Sequence, residues 1–367
     1  MINVSDLSLI NLSLGEIKGG PSEKLRKFTS SKVLEEWQGY TSPYGIYELR
    51  RAILDHFQPL YQNKLQLSQV LVTAGASMAL TSVYYLISNK RLLIPNIGFP
   101  LYRKTAAQLG VQLTEYHIGP EKNWNLTIQQ IEEGFKSGIR ALIWNNPNNP
   151  LGFIAPSYVV EEMCELCKRY KALCITDEVY REFNGAVAVT SPSEIIPNQT
   201  IFIYSFSKSY GLAGIRVGCV IAHPQIIEGL REVHWNSGMS VSWIGQEIAK
   251  YAIESLPDYP HDLSQKVKKR LNNAVIFFRE KDIPFYFPDG GIYICIDTKD
   301  LGIDSAHFTT IVREKANLQL MPGMAFGKES ASIVRLNAGV EDDIFHEALQ
   351  RVEHVYADQK GLKETYE

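Results

Sequence analysis

Between residues 69 and 222, short apolar runs alternate with amphipathic helical patterns, and this alternation constrains the chain more than any other feature. The runs at 70–73, 92–94, 113–117, 141–144, 173–176, 201–205 and 217–222 read as strands. Between them, 78–87, 102–109, 127–135 and 157–170 place apolar residues at three- and four-residue spacing and read as helices. Such alternation builds an α/β unit around a mostly parallel sheet. Ligands of these sheets bind beyond the carboxyl ends of the strands, so the residues just after each run are where chemistry is expected.

The flanks read differently. Ile10-Asn11-Leu12-Ser13-Leu14 alternates like a strand until Gly15, Gly19, Gly20 and Pro21 break it. Ser22 stands where the N-cap of a helix at 23–28 would be, and 47–57 has helical spacing after a turn-rich piece at 39–45. From about Gln246 a helical region, broken at 257–260, runs to Lys281. Then come 284–287, a strand at 292–296, a helix at 306–316, a loop at 322–326, a strand at 333–337 and a helix at 341–356. This predicts a smaller α+β domain, residues 259–367, joined by the N-terminal 1–38, beside a large domain over 39–258.

Composition narrows the partners. A net charge of −3 over 367 residues gives no argument for nucleic acid or an anionic membrane. The start lacks a basic segment followed by an apolar one, and no apolar run approaches the ~18–20 residues of a membrane span. Five cysteines suggest no disulfide framework, so a cytoplasmic, reduced protein is expected. Cys164 and Cys167 form a C-x-x-C, but within a helical pattern and without a second pair they read as buried apolar positions.

The chemistry lies at the strand ends. Ser205-Phe206-Ser207-Lys208-Ser209-Tyr210-Gly211-Leu212-Ala213-Gly214-Ile215-Arg216-Val217-Gly218 follows one apolar run. Its lysine is either a solvated loop charge or an amine held for Schiff-base formation. Arg216, Ser205 and Ser207 could clamp an anion beside that amine. Thr73-Ala74-Gly75-Ala76-Ser77 opens a helix, where an anion is favoured, although Ser77 taken alone reads as a helix cap. Phe99, between Gly98 and Pro100, is a hydrophobic plug or a ring for stacking. Asn145-Asn146-Pro147-Asn148-Asn149-Pro150-Leu151-Gly152 is a rigid loop in which Asn149 can donate to a ligand oxygen. Asp177-Glu178-Val179-Tyr180 puts a carboxylate directly after an apolar strand, which is unfavourable unless a cation or several donors meet it. Arg335 offers a bidentate fork for a carboxylate, or is an edge-strand charge.

Together these stretches resemble the class I and II aminotransferases, the fold-type-I enzymes that use pyridoxal 5′-phosphate (PLP). The resemblance covers nearly the whole chain and keeps the motif order. It implies an α/β/α sandwich plus a smaller α+β domain, acting on an amino acid and a 2-oxo acid as a homodimer. By that resemblance Lys208 would form the internal aldimine and then move a proton between the substrate α-carbon and the cofactor. Asp177 would keep the pyridine nitrogen protonated, Asn149 and Tyr180 would bind the ring oxygen, and Phe99 would stack on the ring. Ala76, Ser77, Ser205, Ser207 and Arg216 would hold the phosphate, with Tyr40 reaching the neighbouring subunit's phosphate. Arg335 would bind the substrate carboxylate, with Gly15 and Asn149 lining the same pocket.

Two departures stand out. The family's N-P-T-G is N-P-L-G here, and few residues precede the Gly15 turn. Dicarboxylate-specific relatives carry a second arginine after the cofactor lysine, and Glu232-Val233-His234-Trp235-Asn236-Ser237-Gly238 has none. A neutral or aromatic donor is therefore expected, with His234 or Trp235 near the pocket. Rival readings on the same residues are a C–S β-lyase, a decarboxylase or a histidinol-phosphate-type aminotransferase. A non-catalytic PLP-binding module is a remoter one.

Overall fold

The computed structural model describes residues 8–18, 20–35, 39–87, 89–185 and 187–366. Gly19 and the predicted boundary at 38 lie outside them. The described chain opens on β1 (Ile10–Asn11), α1 (Glu23–Glu35) and α2 (Tyr47–Phe57). The alternating region becomes β2 (Val70–Thr73), α3 (Ala76–Leu86), β3 (Arg91–Pro95), α4 (Pro100–Leu109), β4 (Gln112–Tyr116) and α5 (Trp124–Lys136). It continues through β5 (Ala141–Asn145), α6 (Ser157–Tyr170), β6 (Leu173–Asp177), a short α7 (Pro192–Ile195), β7 (Thr200–Ser205), a single turn α8 (Phe206–Ser209) and β8 (Gly218–Ile221).

These strands form one seven-stranded sheet in the order β2-β8-β7-β6-β5-β3-β4. Only β8 runs against the others, antiparallel to both its neighbours. Successive side chains on a strand point to opposite faces, so each central strand feeds two cores. Leu142 and Trp144 of β5 join the core under α5 and α6, whereas Ala141 and Ile143 join the one under α3 and α4. Helices therefore cover both faces. The register aligns Asn145 with Asp177 and Asp177 with Ile203, so β5 and β6 end level and β7 runs two residues further, to Ser205.

Beyond β8 come α9 (Pro224–Gly238), α10 (Trp243–Ser255), α11 (Tyr259–Glu280), β9 (Phe285–Tyr286), β10 (Tyr293–Asp297) and α12 (Ser305–Ala316). The chain closes with β11 (Leu318–Gln319), β12 (Met321–Pro322), β13 (Ile333–Asn337) and α13 (Asp342–Tyr366). A four-stranded antiparallel sheet runs β12-β13-β10-β9, and β1 pairs in parallel with β11. Ile10, Leu12 and Ile17 share a core with residues of α11, α12 and α13.

Three sequence readings change here. The strand expected at 10–14 stops at Asn11, whose side-chain oxygen accepts from the Ser13 N–H (2.9 Å) and hydroxyl (2.7 Å) and turns the chain. The helix expected at 23–28 extends to Glu35, with Ser22 Oγ accepting from Leu25 N–H (3.3 Å) as an N-cap does. No element was assigned to 224–238, which forms α9; Pro224 at its first position is the signal that marks it.

Candidate active site

The carboxyl ends of β5, β6 and β7 form the floor of a cavity of about 320 Å³, closed on the other side by Gly15, Tyr293 and Arg335. Every residue expected in the site lines this cavity except Tyr40. Tyr40 is 78% exposed.

Lys208 reaches the cavity through local geometry at the end of β7. Ser205 Oγ caps the following turn, accepting from Ser207 N–H at 3.2 Å and donating to Ser207 Oγ at 2.9 Å. That turn buries Phe206 and Ser209 and leaves Lys208 half-buried, its Nζ donating to the Gly15 carbonyl. The solvated-loop alternative does not describe this amine.

Asp177, the last residue of β6, is 3% exposed. Tyr102 Oη donates to its Oδ2 at 2.6 Å, while Oδ1 has no partner among the described residues. Burial pushes this carboxyl up to about 6, a rise opposed by the Tyr102 bond, the Val179 N–H and the nearby Lys208 charge. The adjacent Glu178 serves structure: it accepts from Thr176 Oγ1 (2.9 Å), Ser191 Oγ (2.6 Å) and Arg181 Nη1 (2.7 Å), fixing the turn that aims Asp177 and Tyr180.

A polar network closes the opposite wall. Arg335 is 4% exposed and lies on β13, flanked by β12 and β10, so it is no edge-strand charge. Its Nη1 donates to Asn149 Oδ1 (3.0 Å) and its Nη2 to the Ser13 carbonyl (2.6 Å), while Nε has no partner among the described residues. The guanidinium sits between two rings, 4.0 Å from the Tyr293 centroid and 4.9 Å from that of Phe326. Asn149 Nδ2 approaches Tyr180 Oη at 3.4 Å, and that hydroxyl bonds Tyr293 Oη at 2.7 Å. Asn145 ties the strand ends together, accepting from Asn149 N–H (2.7 Å) and donating to the Asp177 carbonyl (2.9 Å).

The remaining wall is built for an anion. Gly75 occupies the N-cap of α3 with φ +80°, so Ser77 lies within the first turn and is not the cap that its type suggests. A Cβ at Gly75 would lie 2.8 Å from Arg216 Nη2, so the glycine makes room for the guanidinium. Arg216 adopts φ +58°, a strained conformation for a residue with a Cβ, and donates to the Ala213 (3.0 Å) and Ala74 (3.4 Å) carbonyls. Its exposed head, the free N-terminus of α3 and the two serines converge on one end of the cavity. Phe99 forms an adjacent wall, edge-on to Tyr102 at 5.8 Å.

Two expectations about flanking residues resolve differently. His234 and Trp235 do not line the cavity of their own chain. His234 is buried on α9, where its Nε2 accepts from Ala74 N–H at 3.2 Å behind the anion-binding turn. Leu151 of N-P-L-G points into the core beside Phe153 and leaves the cavity lining unchanged. Cys164 and Cys167 are buried core residues, with the Cys164 thiol pushed up to about 12 by desolvation. Among the described residues no group of metal-ligating side chains is found.

Sequence reasoning missed Tyr293, Tyr102, Asn145, Ser13 and Phe326. Tyr293 follows Gly290-Gly291-Ile292 at the start of a strand, which is the one local signal that could have drawn notice to it. Its hydroxyl lies where a Cβ on Gly15 would be. Gly15→Ala should therefore raise the KM for the amino donor and cost about 1–3 kcal/mol of stability. Thermal unfolding beside donor kinetics checks this, and an unchanged KM would count against Gly15 as a pocket wall.

The family model for aminotransferase class I and II matches residues 8–352. An aspartate aminotransferase of Pyrococcus horikoshii is 25% identical over 364 residues, covering 96% of this chain and 92% of that protein. Aromatic-amino-acid aminotransferase 2 of Thermococcus litoralis is 26% identical over 363 residues, with the same coverage of 96% and 92%. The solved structure of an aromatic aminotransferase from Pyrococcus horikoshii superposes with a TM-score of 0.88 at 24% identity, covering 98% of this chain and all of that one. A mutant aspartate aminotransferase of Thermus thermophilus gives a TM-score of 0.88 at 21% identity, covering 96% and 92%. These structural likenesses establish a shared fold.

Proposed function

The chain belongs to the class I and II aminotransferases, a PLP-dependent family, and we propose that Lys208 is its covalent cofactor lysine and that its amino donor is neutral or aromatic. The observation that carries this reading is the convergence on one cavity of the Lys208 amine and two unpartnered buried atoms, Asp177 Oδ1 and Arg335 Nε. Unsatisfied buried polar groups are unfavourable and mark a missing partner. A protonated ring nitrogen suits Asp177 Oδ1, a carboxylate suits Arg335 Nε, and the Gly75–Arg216 cradle suits a phosphate.

Bound PLP supplies an aldehyde carbon that exchanges one amine for another and a ring that draws electrons from the substrate α-carbon. Lys208 Nζ would be the amine that holds the group, and once free it would carry the proton to and from the α-carbon. Asp177, buried and with Oδ1 unpartnered among the described residues, would hold a proton on the ring nitrogen. Asn149 Nδ2 and Tyr180 Oη would bind the ring oxygen. Arg216, Ser205, Ser207 and the N–H groups of Ala76 and Ser77 would hold the phosphate. Arg335, stiffened by Tyr293 and Phe326, orients the substrate carboxylate so that the α-hydrogen meets Lys208.

The donor class rests on the cavity, since the named relatives act on both aspartate and aromatic amino acids. Beyond Lys208, Arg216 and Arg335, each already engaged in this reading, no lysine, arginine or histidine of the described chain lines it. Leu14, Leu80, Phe99, Met321 and Phe326 offer an apolar wall to a side chain. Residues 39–258 are assigned to the large cofactor domain, and 1–38 with 259–367 to the small one; the pairing of β1 with β11 supports this for the first strand, whereas Leu25 and Phe28 of α1 pack with the core of the large domain. The exposure of Tyr40 supports its reach to a neighbouring subunit in a homodimer.

The test is spectroscopic. Reconstituted protein should show the absorption band of lysine-bound PLP, which a neutral or aromatic amino acid bleaches and a 2-oxo acid restores. Pyruvate and ammonia released without an oxo acid would point to elimination instead. Activity confined to aspartate and glutamate across a donor panel would reject the donor class.

A further inference from the structure

We propose that Tyr102 is a positioning residue for the cofactor: its hydroxyl holds one oxygen of Asp177 so that the other is presented, ionised, to the ring nitrogen. The inference rests on the cofactor reading above and deepens it.

Tyr102 lies on α4 and is fully buried, and its hydroxyl reaches Asp177 Oδ2 at 2.6 Å. Its other anchor is backbone: the Tyr84 hydroxyl donates to the Tyr102 carbonyl at 2.8 Å. Burial and the adjacent carboxylate push the phenol well above its ordinary value, so Tyr102 keeps its proton and acts as donor only. The charged and titratable groups facing Asp177 are Lys208 across the cavity, Glu178 and Tyr180 on its own turn, and Tyr102 from α4. Of these, Tyr102 alone donates a side-chain hydrogen bond to the carboxyl.

The geometry separates the two oxygens. Oδ2 is tied to Tyr102, Oδ1 has no partner among the described residues, and Asp177 itself lines the cavity. A donor to one oxygen favours the ionised carboxyl and stops it rotating, so the free oxygen keeps one direction. Without that donor, desolvation is opposed only by the Val179 N–H and the Lys208 charge and shifts Asp177 toward its neutral form, which cannot hold a proton on a ring nitrogen.

The test compares two ligands on the full chain: PLP, and its deaza analogue in which C–H replaces the ring nitrogen. Tyr102→Phe should weaken PLP binding roughly tenfold, the worth of one hydrogen bond to a charged group, and change binding of the analogue less than about twofold. Tyr84→Phe, which removes the hydrogen bond to the Tyr102 carbonyl and leaves the Tyr102 hydroxyl on Asp177, should leave the ratio of the two affinities unchanged. Equal losses for both ligands, or none for PLP, overturn the proposal. In parallel, carbon-13 NMR of the Asp177 carboxyl in the cofactor-free full chain should show its midpoint moving up in Tyr102→Phe; a midpoint that stays put also overturns it. If Tyr102→Phe does not fold, fluorotyrosine in place of Tyr102 strengthens the donor and should move the midpoint down, and no movement overturns the proposal. Wild-type protein that binds neither ligand overturns the cofactor reading, while the carboxyl midpoint still decides the hold of Tyr102 on Asp177.

Discussion

Lys208→Ala should lower transamination on the order of 10⁴-fold or more, because the substitution removes the displaced amine and the proton carrier together. No other amine can substitute: among the described residues, the remaining cations of the cavity are the guanidinium groups of Arg216 and Arg335, which do not release protons. The structural cost should be small. Nζ donates to the Gly15 carbonyl and takes part in no ion pair among the described residues, and Gly15 lines a cavity where water can replace the amine. Thermal unfolding within a few degrees of wild type, beside a single-turnover rate near background, is the expected pair of results. A variant keeping a tenth of wild-type turnover would remove Lys208 from the chemistry.

Arg335→Leu should lower kcat/KM for the amino donor roughly 10²–10³-fold, in line with the 2–5 kcal/mol of truncating one partner of a buried charge pair. Most of the loss should appear as a raised KM, with a further drop in kcat as the α-hydrogen loses its alignment to Lys208. Arg335→Lys tests whether charge alone suffices. The guanidinium reaches Asn149 and Ser13 with two nitrogens and stacks between Tyr293 and Phe326, and an ammonium can do neither as a planar fork. The lysine variant should therefore stay at least about tenfold below wild type. A donor KM unchanged in Arg335→Leu would mean that the carboxylate binds elsewhere.

The difference between these residues and those found only in the structure lies in how far the signal travels along the chain. Lys208, Asp177 and Asn149 each follow a strand whose apolar pattern is local, so their place at the sheet's carboxyl edge was legible before any coordinates. The same holds for Gly75, flanked by Ala74 and Ala76, small residues that announce a close approach. The roles of His234 and Ser77 were not legible. Whether a histidine faces a cavity or the back of a turn depends on the roll of α9, and whether a serine caps a helix depends on where the first turn starts.

The sequence by itself determined the alternating sheet and its helices, the order of the motifs and the chemical identity of the groups offered at the strand ends. Periodicity and turn chemistry act over a few residues, which is why those features could be read directly. Only the tertiary structure decided which of those groups meet. Tyr102 and Asp177 are 75 residues apart, Tyr180 and Tyr293 are 113, and Asn149 and Arg335 are 186. Such contacts are set by sheet register and by the packing of the β10–β13 sheet against the ends of β5 and β6. A buried oxygen left without a partner, as at Asp177, appears only once every other donor has taken its place.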